Sequence, residues 1–359
     1  MKIGLFIPSL YKYDAMGNDV LMMYKILKEK NFDVVIFAQS YDDSIDAKIK
    51  NVNKSSSFLN NKDNIVIYHH GVYTDFFDSI VNSKCIKVFR YHNITYPELF
   101  EGYDSNAVKI CSEGRKQLDR KINRFDYYLP CSNFNNDELI NDFNVDKNKT
   151  FILPPFHSVE EWKDIKEDVE LKIQLQDGRK SFLMVGRLSP NKNYQLLIKG
   201  FADYFYNYDQ KSVLHIVGKI GPQNYYEELV KLVNNLKIDK NVIFYSTGIS
   251  ETKLKSLYRY SDVFIMTSKH EGFCVPIVES MYFGLPIISS KETALQDTVD
   301  KNGILLDELS DINLSEALKT TLQYREELSK ISKEGYNRYA LDKIKSEFDT
   351  IINQILNYD

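Results

Sequence analysis

Glu271 and Glu279 stand eight residues apart in the run Ser268-Lys-His-Glu271-Gly-Phe-Cys-Val-Pro-Ile-Val-Glu279. Carboxylates accept hydrogen bonds from hydroxyl groups, and backbone N–H groups at a helix start favour anions and polar ligands. The apolar stretch 262–266 before this run reads as a buried parallel strand. From Pro276 at the opening position the pattern turns helical, with Ile277, Val278, Met281 and Tyr282 behind it. Glu271 is therefore expected in a strand-to-helix loop and Glu279 within the first helical turn. The N–H groups of Gly272, Phe273, Cys274 and Val275 then point out of the helix end, so a polyhydroxylated ligand can be gripped from two sides. A plainer reading is a buried helix carrying two solvated acids.

A second pair is cationic. Arg187 and Lys192 follow a predicted strand and Gly186, with four residues between them. A guanidinium fork and an ammonium point charge leaving one strand end can converge on a diphosphate. The alternative is a surface basic pair. Gly17, between the first strand and a helix expected to begin near Asp19, would let the backbone approach a phosphate closely; a simple turn glycine accounts for it nearly as well. His92 follows the predicted strand 86–91, and His69 and His70 follow another, at carboxyl ends where doubly wound sheets carry functional groups. His92 is the preferred candidate of the three, against a purely structural role.

These groups need a frame. Strand patterns at 2–7, 33–37, 64–68, 86–91, 127–129 and 150–153 alternate with helical patterns at 19–30, 74–82, 108–123 and 135–143. Residues 40–64 read as a polar, mobile loop, and 160–177 as an interdomain connection. A second series follows, with strands at 181–185, 213–217, 241–244, 262–266, 286–289 and 303–306. Its helices fall at 194–206, 225–236, 250–260, 276–283 and 312–324. The expectation is an α/β chain with two doubly wound, Rossmann-like parallel-sheet domains facing a central cleft. Residues 1–160 form the first, 161–340 the second, and 341–359 a helix returning to the first.

Bulk properties narrow the classes. The 359 residues exceed one ordinary domain. A net charge of −4 with neither half strongly basic argues against nucleic-acid binding. Cys85, Cys111, Cys131 and Cys274 are scattered without a Cys-x-x-Cys pair, which suits free thiols in a reducing cytoplasm. No signal segment or spanning stretch is evident, so any membrane contact is expected to be peripheral. Asp-x-Asp, Walker and zinc-spaced motifs are all missing, and no metal site is expected. Arg115, Lys116, Arg120 and Arg124 form a basic stripe on the predicted helix 108–123 and its end. It is either a solvated face or a dock for an anionic acceptor at an inner membrane leaflet.

The ordered motifs Val185-Gly186-Arg187-Leu-Ser-Pro-Asn-Lys192-Asn, Val217-Gly218, Phe244 to Gly248, Ser268-Lys-His-Glu271-Gly-Phe, Glu279-Ser-Met and Gly284-Leu-Pro286 resemble the retaining family-four glycosyltransferases (glycosyl transferases group 1). The resemblance covers roughly residues 181–306. It implies the GT-B fold and transfer of a hexose from a nucleoside-diphosphate sugar, with retention and without metal or cofactor. Arg187 and Lys192 would neutralise the diphosphate, Glu279 would bind the ribose, and Glu271 would touch the sugar. Gly272, Phe273, Cys274 and Val275 would donate N–H groups, with Gly248 and Ile249 in the base-selecting loop and His92 near the transferred sugar. Relatives often carry Gly where Cys274 stands, so sugar preference is expected to differ. GDP-mannose and UDP-hexoses both remain open as donors. A saccharide or lipid-linked saccharide of surface polysaccharide or O-antigen synthesis is the expected acceptor. A disaccharide phosphorylase, a nucleotide-sugar epimerase and a non-catalytic sugar-binding relative are the alternatives, and the oligomeric state is left open.

Overall fold

The computed structural model describes residues 1–11 and 14–356, and these divide into two compact units. The first comprises 1–97, 106–158 and 340–359; the second comprises 98–105 and 159–339.

The first unit begins β1 (Ile3–Leu10), α1 (Ala15–Glu29), β2 (Val34–Tyr41), β3 (Ile49–Asn51), α2 (Ser56–Leu59) and β4 (Ile65–His70). It continues through α3 (Phe77–Val81), β5 (Ile86–Tyr91), α4 (Ser105–Lys121), β6 (Tyr127–Pro130) and α5 (Asn133–Asn141). The strands form one parallel sheet in the order β3-β2-β1-β4-β5-β6. Every residue of β4 is buried, as expected of a strand with neighbours on both sides and helices on both faces.

The second unit holds α6 (Val169–Leu175), β7 (Ser181–Val185), α7 (Tyr194–Asn207), β8 (Val213–Val217), α8 (Gln223–Asn235), β9 (Val242–Tyr245) and α9 (Glu251–Tyr260). Then come β10 (Val263–Met266), α10 (Val275–Phe283), β11 (Ile287–Ser290), α11 (Leu295–Val299), β12 (Ile304–Leu306), α12 (Asp311–Gln323) and α13 (Arg325–Gly335). Its parallel sheet runs β12-β11-β10-β7-β8-β9, the same winding as the first. The last helix, α14 (Leu341–Leu356), lays Ile344, Phe348, Ile351 and Ile355 into the core of the first unit, with Phe348 edge-on to Phe156.

Three expectations change. Residues 150–153 form no regular strand: one bridge joins Tyr128 to Thr150, although the Phe151 and Leu153 N–H groups still donate to the Tyr128 and Pro130 carbonyls at 2.9 and 3.0 Å. Residues 40–64 are not an open loop: Ile49 pairs with Ile36, and Phe58 packs edge-on to Phe37. Gly4 makes room for that ring, since a Cβ there would lie 2.8 Å from it. Residues 160–177 are not a free connection either. Trp162 is buried between Tyr258 and Phe283, and Asp168 caps α6 through the Leu171 N–H at 2.9 Å. In each of the last two cases a few large apolar side chains anchor a segment whose average composition is polar.

Each sheet reverses its winding at one place, between β1 and β4 in the first unit and between β7 and β10 in the second. At such a point the loops leaving two adjacent strands diverge and leave a crevice. The loops after β7 and β10 carry Arg187, Lys192 and Glu271.

Candidate functional site

The loop after β7 is held by close backbone approach. Gly218 has no room for a side chain, since a Cβ would lie 1.8 Å from the Gly186 carbonyl oxygen. Tyr194 Oη donates to that oxygen at 2.7 Å. The chain then turns through a 3-10 segment, Pro190–Lys192, and through Asn193 in the left-handed region into α7. Thr267 Oγ1, at the end of β10, donates to the carbonyls of Lys192 and Asn193 at 3.0 and 3.2 Å. Lys269 N donates to the Asn191 carbonyl at 2.8 Å. The two loops are thus stitched to one another.

This stitching brings Lys192 Nζ onto Glu271 Oε1 as an ion pair, and Ser268 Oγ donates to the same oxygen at 2.7 Å. Burial pulls the Lys192 ammonium down, but the adjacent Glu271 carboxylate outweighs it and holds the pKa above the usual lysine value. Arg187 is exposed and makes no side-chain hydrogen bond or ion pair among the described residues. The two cations therefore differ: Lys192 is positioned by protein, whereas Arg187 is free to turn toward a ligand.

Cys274 adopts φ +84° and ψ +76°, a backbone state that favours glycine. That turn makes Val275 the first residue of α10 and Pro276 the second, so Glu279 opens the second turn rather than lying in the first. Among the described residues, none of the N–H groups of Gly272, Phe273, Cys274 and Val275 donates a hydrogen bond. Burial raises the Cys274 thiol well above its usual range, which removes thiolate nucleophilicity. Glu279 is half-buried and accepts from Tyr258 Oη at 2.6 Å. Burial pushes its carboxyl up to about 7, against the hydrogen bond from Tyr258. Gly248 has φ +89° and, with Ile249, lies in the loop capped by Ser250 at the start of α9.

In the first unit α1 begins at Ala15, four residues earlier than expected. Asp14 caps it by accepting the Gly17 N–H at 3.0 Å. Gly17 is therefore the third residue of the helix, its N–H already used. A Cβ there would approach the Tyr11 carbonyl oxygen to 2.7 Å, so close chain packing explains the glycine.

His92 sits in a buried cluster that sequence reasoning largely missed. Arg90, fully buried on β5, grips Asp19 through Nε to Oδ2 at 2.9 Å and Nη2 to Oδ1 at 3.2 Å. The Phe156 N–H also donates to Asp19 Oδ1, at 2.8 Å. His92 Nε2 and His69 Nδ1 lie 3.0 Å apart, each 3.5 Å from Asp19 Oδ2. The other nitrogen of His92 faces Cys131 Sγ at 3.6 Å. Burial, partly offset by Asp19, keeps both imidazoles neutral, His69 falling to about 3 and His92 well below its usual value. Burial alone would raise Asp19, but Arg90 and the two imidazoles hold it below the usual carboxylate range. His70 is tied to Tyr68 Oη at 2.9 Å inside the sheet. The overlooked signal was Arg90, a cation among the buried residues Val88, Phe89 and Tyr91 of its strand, which requires a buried carboxylate partner.

The basic stripe is not continuous. Arg115 turns inward onto Glu138 at 2.9 Å and over the rings of Tyr96 and Phe143. Lys116 pairs with Glu113 at 2.7 Å, and Arg120 is exposed beside Asp119. Arg124 falls beyond the end of α4, in a 3-10 turn, and reaches Asn82. The helix ends at Lys121, so four-residue spacing no longer places Arg124 on the same face. No helix among the described residues is long and apolar enough to cross a membrane.

Comparison with known proteins accords with this geometry. Residues 166–338 match the family model of glycosyl transferases group 1. The chain is 31% identical over 170 residues to the alpha-monoglucosyldiacylglycerol synthase of Streptococcus pneumoniae, covering 45% of this chain and 37% of that protein. It is 24% identical over 262 residues to the O-antigen chain mannosyltransferase RfbU of Salmonella typhimurium, covering 72% and 69%. Across the first curated relatives the match spans about a third to just over half of their length. Among solved structures, WaaG, a glycosyltransferase involved in lipopolysaccharide biosynthesis, superposes with TM-score 0.76 at 14% identity, over 98% of this chain and 99% of that one. The paired parallel sheets are those of the GT-B fold. The segment 166–338, which contains the stitched loops and both glutamates, is the part of the chain that belongs to glycosyl transferases group 1.

Proposed function

We propose that the protein transfers a hexose from a nucleoside-diphosphate sugar to a saccharide or lipid-linked saccharide, with retention and with no metal or cofactor required for transfer. The observation that carries this reading is the Lys192–Glu271 pair beside four N–H groups that donate to nothing among the described residues. A helix end of that kind stabilises phosphate and hydroxyl oxygens, and a fixed ammonium stabilises charge developing on a departing diphosphate.

In this reading Lys192 and the exposed Arg187 take the diphosphate, Glu279 accepts from the ribose hydroxyls, and Glu271 accepts from a sugar hydroxyl. The backbone of Gly272 to Val275 donates to the sugar, while Gly186 lies against the Lys192 stem at the donor side of the loop. Gly248 and Ile249 flank the base. His92, kept neutral by burial and hydrogen-bonded to His69, is assigned a place beside the transferred sugar rather than a proton to move. The leaving phosphate oxygen then takes the acceptor proton. Gly17 supports the chain rather than binding phosphate. The name of one relative, an O-antigen chain mannosyltransferase, supports mannose as donor sugar and surface polysaccharide as the setting. Work at the cytoplasmic face of a membrane, with Lys116 and Arg120 meeting an anionic acceptor, completes the proposal.

The test is a thermal-shift panel of UDP, GDP, ADP and CDP, followed by incubation of matching sugar nucleotides with chelator present. One diphosphate should stabilise the fold by mass action, and its sugar nucleotide should release that diphosphate in the presence of a saccharide acceptor. Stabilisation by none of them, or turnover abolished by chelator, overturns the reading.

A further inference from the structure

Three ligand-capable atoms converge at the sheet reversal of the first unit. Asp19 Oδ2, His69 Nδ1 and His92 Nε2 stand at 3.5, 3.5 and 3.0 Å from one another. Only the shortest of these distances is a hydrogen bond. The two 3.5 Å separations are too long for good N–H···O geometry. A tetrahedral metal with bonds of about 2.0–2.1 Å would set its ligand atoms about 3.3–3.4 Å apart. The three edges straddle that value.

The surroundings fit for two of the three ligands, whereas His69 Nε2 is buried without a hydrogen-bond partner among the described residues. A ligating carboxylate and imidazole are usually oriented by further hydrogen bonds. Arg90 and the Phe156 N–H fix the Asp19 carboxylate, and Cys131 Sγ faces the remaining nitrogen of His92. His69, Asp19 and Arg90 are fully buried, whereas the His92 side chain is 11% exposed, which leaves one side open to an entering ion. We propose that Asp19, His69 and His92 form a binding site for a borderline-soft divalent cation such as Zn2+ or Co2+.

Two imidazole nitrogens with one carboxylate select such ions over Mg2+ and Ca2+, which prefer all-oxygen shells. Arg90 cancels the charge of Asp19, so the ligand set is neutral and affinity comes from the imidazoles. The site lies outside the residues proposed to hold the donor diphosphate but shares His92, the residue proposed to position the sugar, so an ion bound there would modulate sugar placement rather than stabilise the leaving group. This inference stands whether or not the proposed transfer is correct.

The test uses the full chain stripped with chelator and then titrated with Co2+, reading the visible d–d absorption together with calorimetry. One equivalent should bind with a tetrahedral band, Zn2+ should abolish the band, and Mg2+ should leave it unchanged. His69→Ala and His92→Ala should each weaken binding tenfold or more while retaining the wild-type circular dichroism. If either variant misfolds, His69→Gln or His92→Gln is read in its place. Absence of a band, a band typical of six-coordinate cobalt, or binding that survives loss of both histidines would refute the site.

Discussion

Lys192 Nζ and Glu271 Oε1, 79 residues apart in sequence, form an ion pair at the point where the loops after β7 and β10 meet. Glu271 is also held by Ser268, and its backbone N–H donates to Thr293 Oγ1 at 2.8 Å. The ammonium is therefore presented at a fixed place rather than found by a mobile side chain. Such preorganisation is what makes a charge useful to a developing anion.

Replacing Lys192 by Met should lower turnover of the sugar nucleotide by roughly 10²–10³-fold, the usual loss of one preorganised stabilising group. Lys192→Arg should not restore it, because a planar fork cannot take the place of a point charge between Glu271 and Gly186. Arg187→Met should act mainly on the binding of the nucleoside diphosphate. Steady-state kinetics and calorimetry with the diphosphate separate the two effects.

Glu279 predicts a pH dependence. Its carboxyl titrates near 7 in the folded protein, against an ordinary value of 4.5. A raised acid contributes stability that is fully present below the unfolded value and is lost as pH rises through the folded one. Stability of the ligand-free protein should therefore carry a component that falls between 4.5 and about 7. Ribose hydroxyls favour the ionised form, so nucleotide affinity should rise over the same window, with proton release. Glu279→Gln should flatten both trends in calorimetry at several pH values.

Cys274 occupies a glycine conformation at φ +84°. Cys274→Gly should stabilise the fold by about 1 kcal/mol if relief of backbone strain outweighs the lost burial of a small side chain. That corresponds to a rise of roughly 2–4 °C in Tm for a unit of this size. The contrasting Gly218→Ala should abolish folding of the second unit, since its Cβ would overlap the Gly186 carbonyl. Differential scanning calorimetry reads both.

Arg90→Leu should destabilise the first unit by about 3–5 kcal/mol, because it leaves the Asp19 carboxylate buried without its bidentate partner. Chemical denaturation measures this directly. A loss below about 1 kcal/mol would mean that the pair is not the keystone its burial implies.

Arg115 and its neighbours should separate in their effects. Arg115→Ala removes the partner of the buried Glu138 and should lower stability without changing membrane affinity. Lys116→Glu with Arg120→Glu should leave stability nearly unchanged and weaken binding to anionic vesicles. Equal vesicle binding by wild type and the double variant would remove the membrane proposal.

Much of the frame was legible from periodicity alone. Buried parallel strands such as 181–185 and 213–217 are continuous apolar runs, and helices such as 194–206 show a 3.6-residue apolar stripe, so local pattern reports local burial. The spacing of Glu271, Gly272 and Glu279 placed one acid in a loop and the other in a helix for the same reason. Side-chain partners across the fold were not legible. Asp19, His69, Arg90 and His92 come from α1, β4, β5 and the residue after β5, and nothing in their spacing links them. Arg115 looked like its neighbours on a basic helix and proved to be the one turned inward. Phe58 and Trp162 ordered segments whose averages were polar. Short-range pattern determines which elements form, because it acts through neighbouring turns and pleats. Which charges meet depends on strand order and on where each sheet reverses, and only the packed chain decides that.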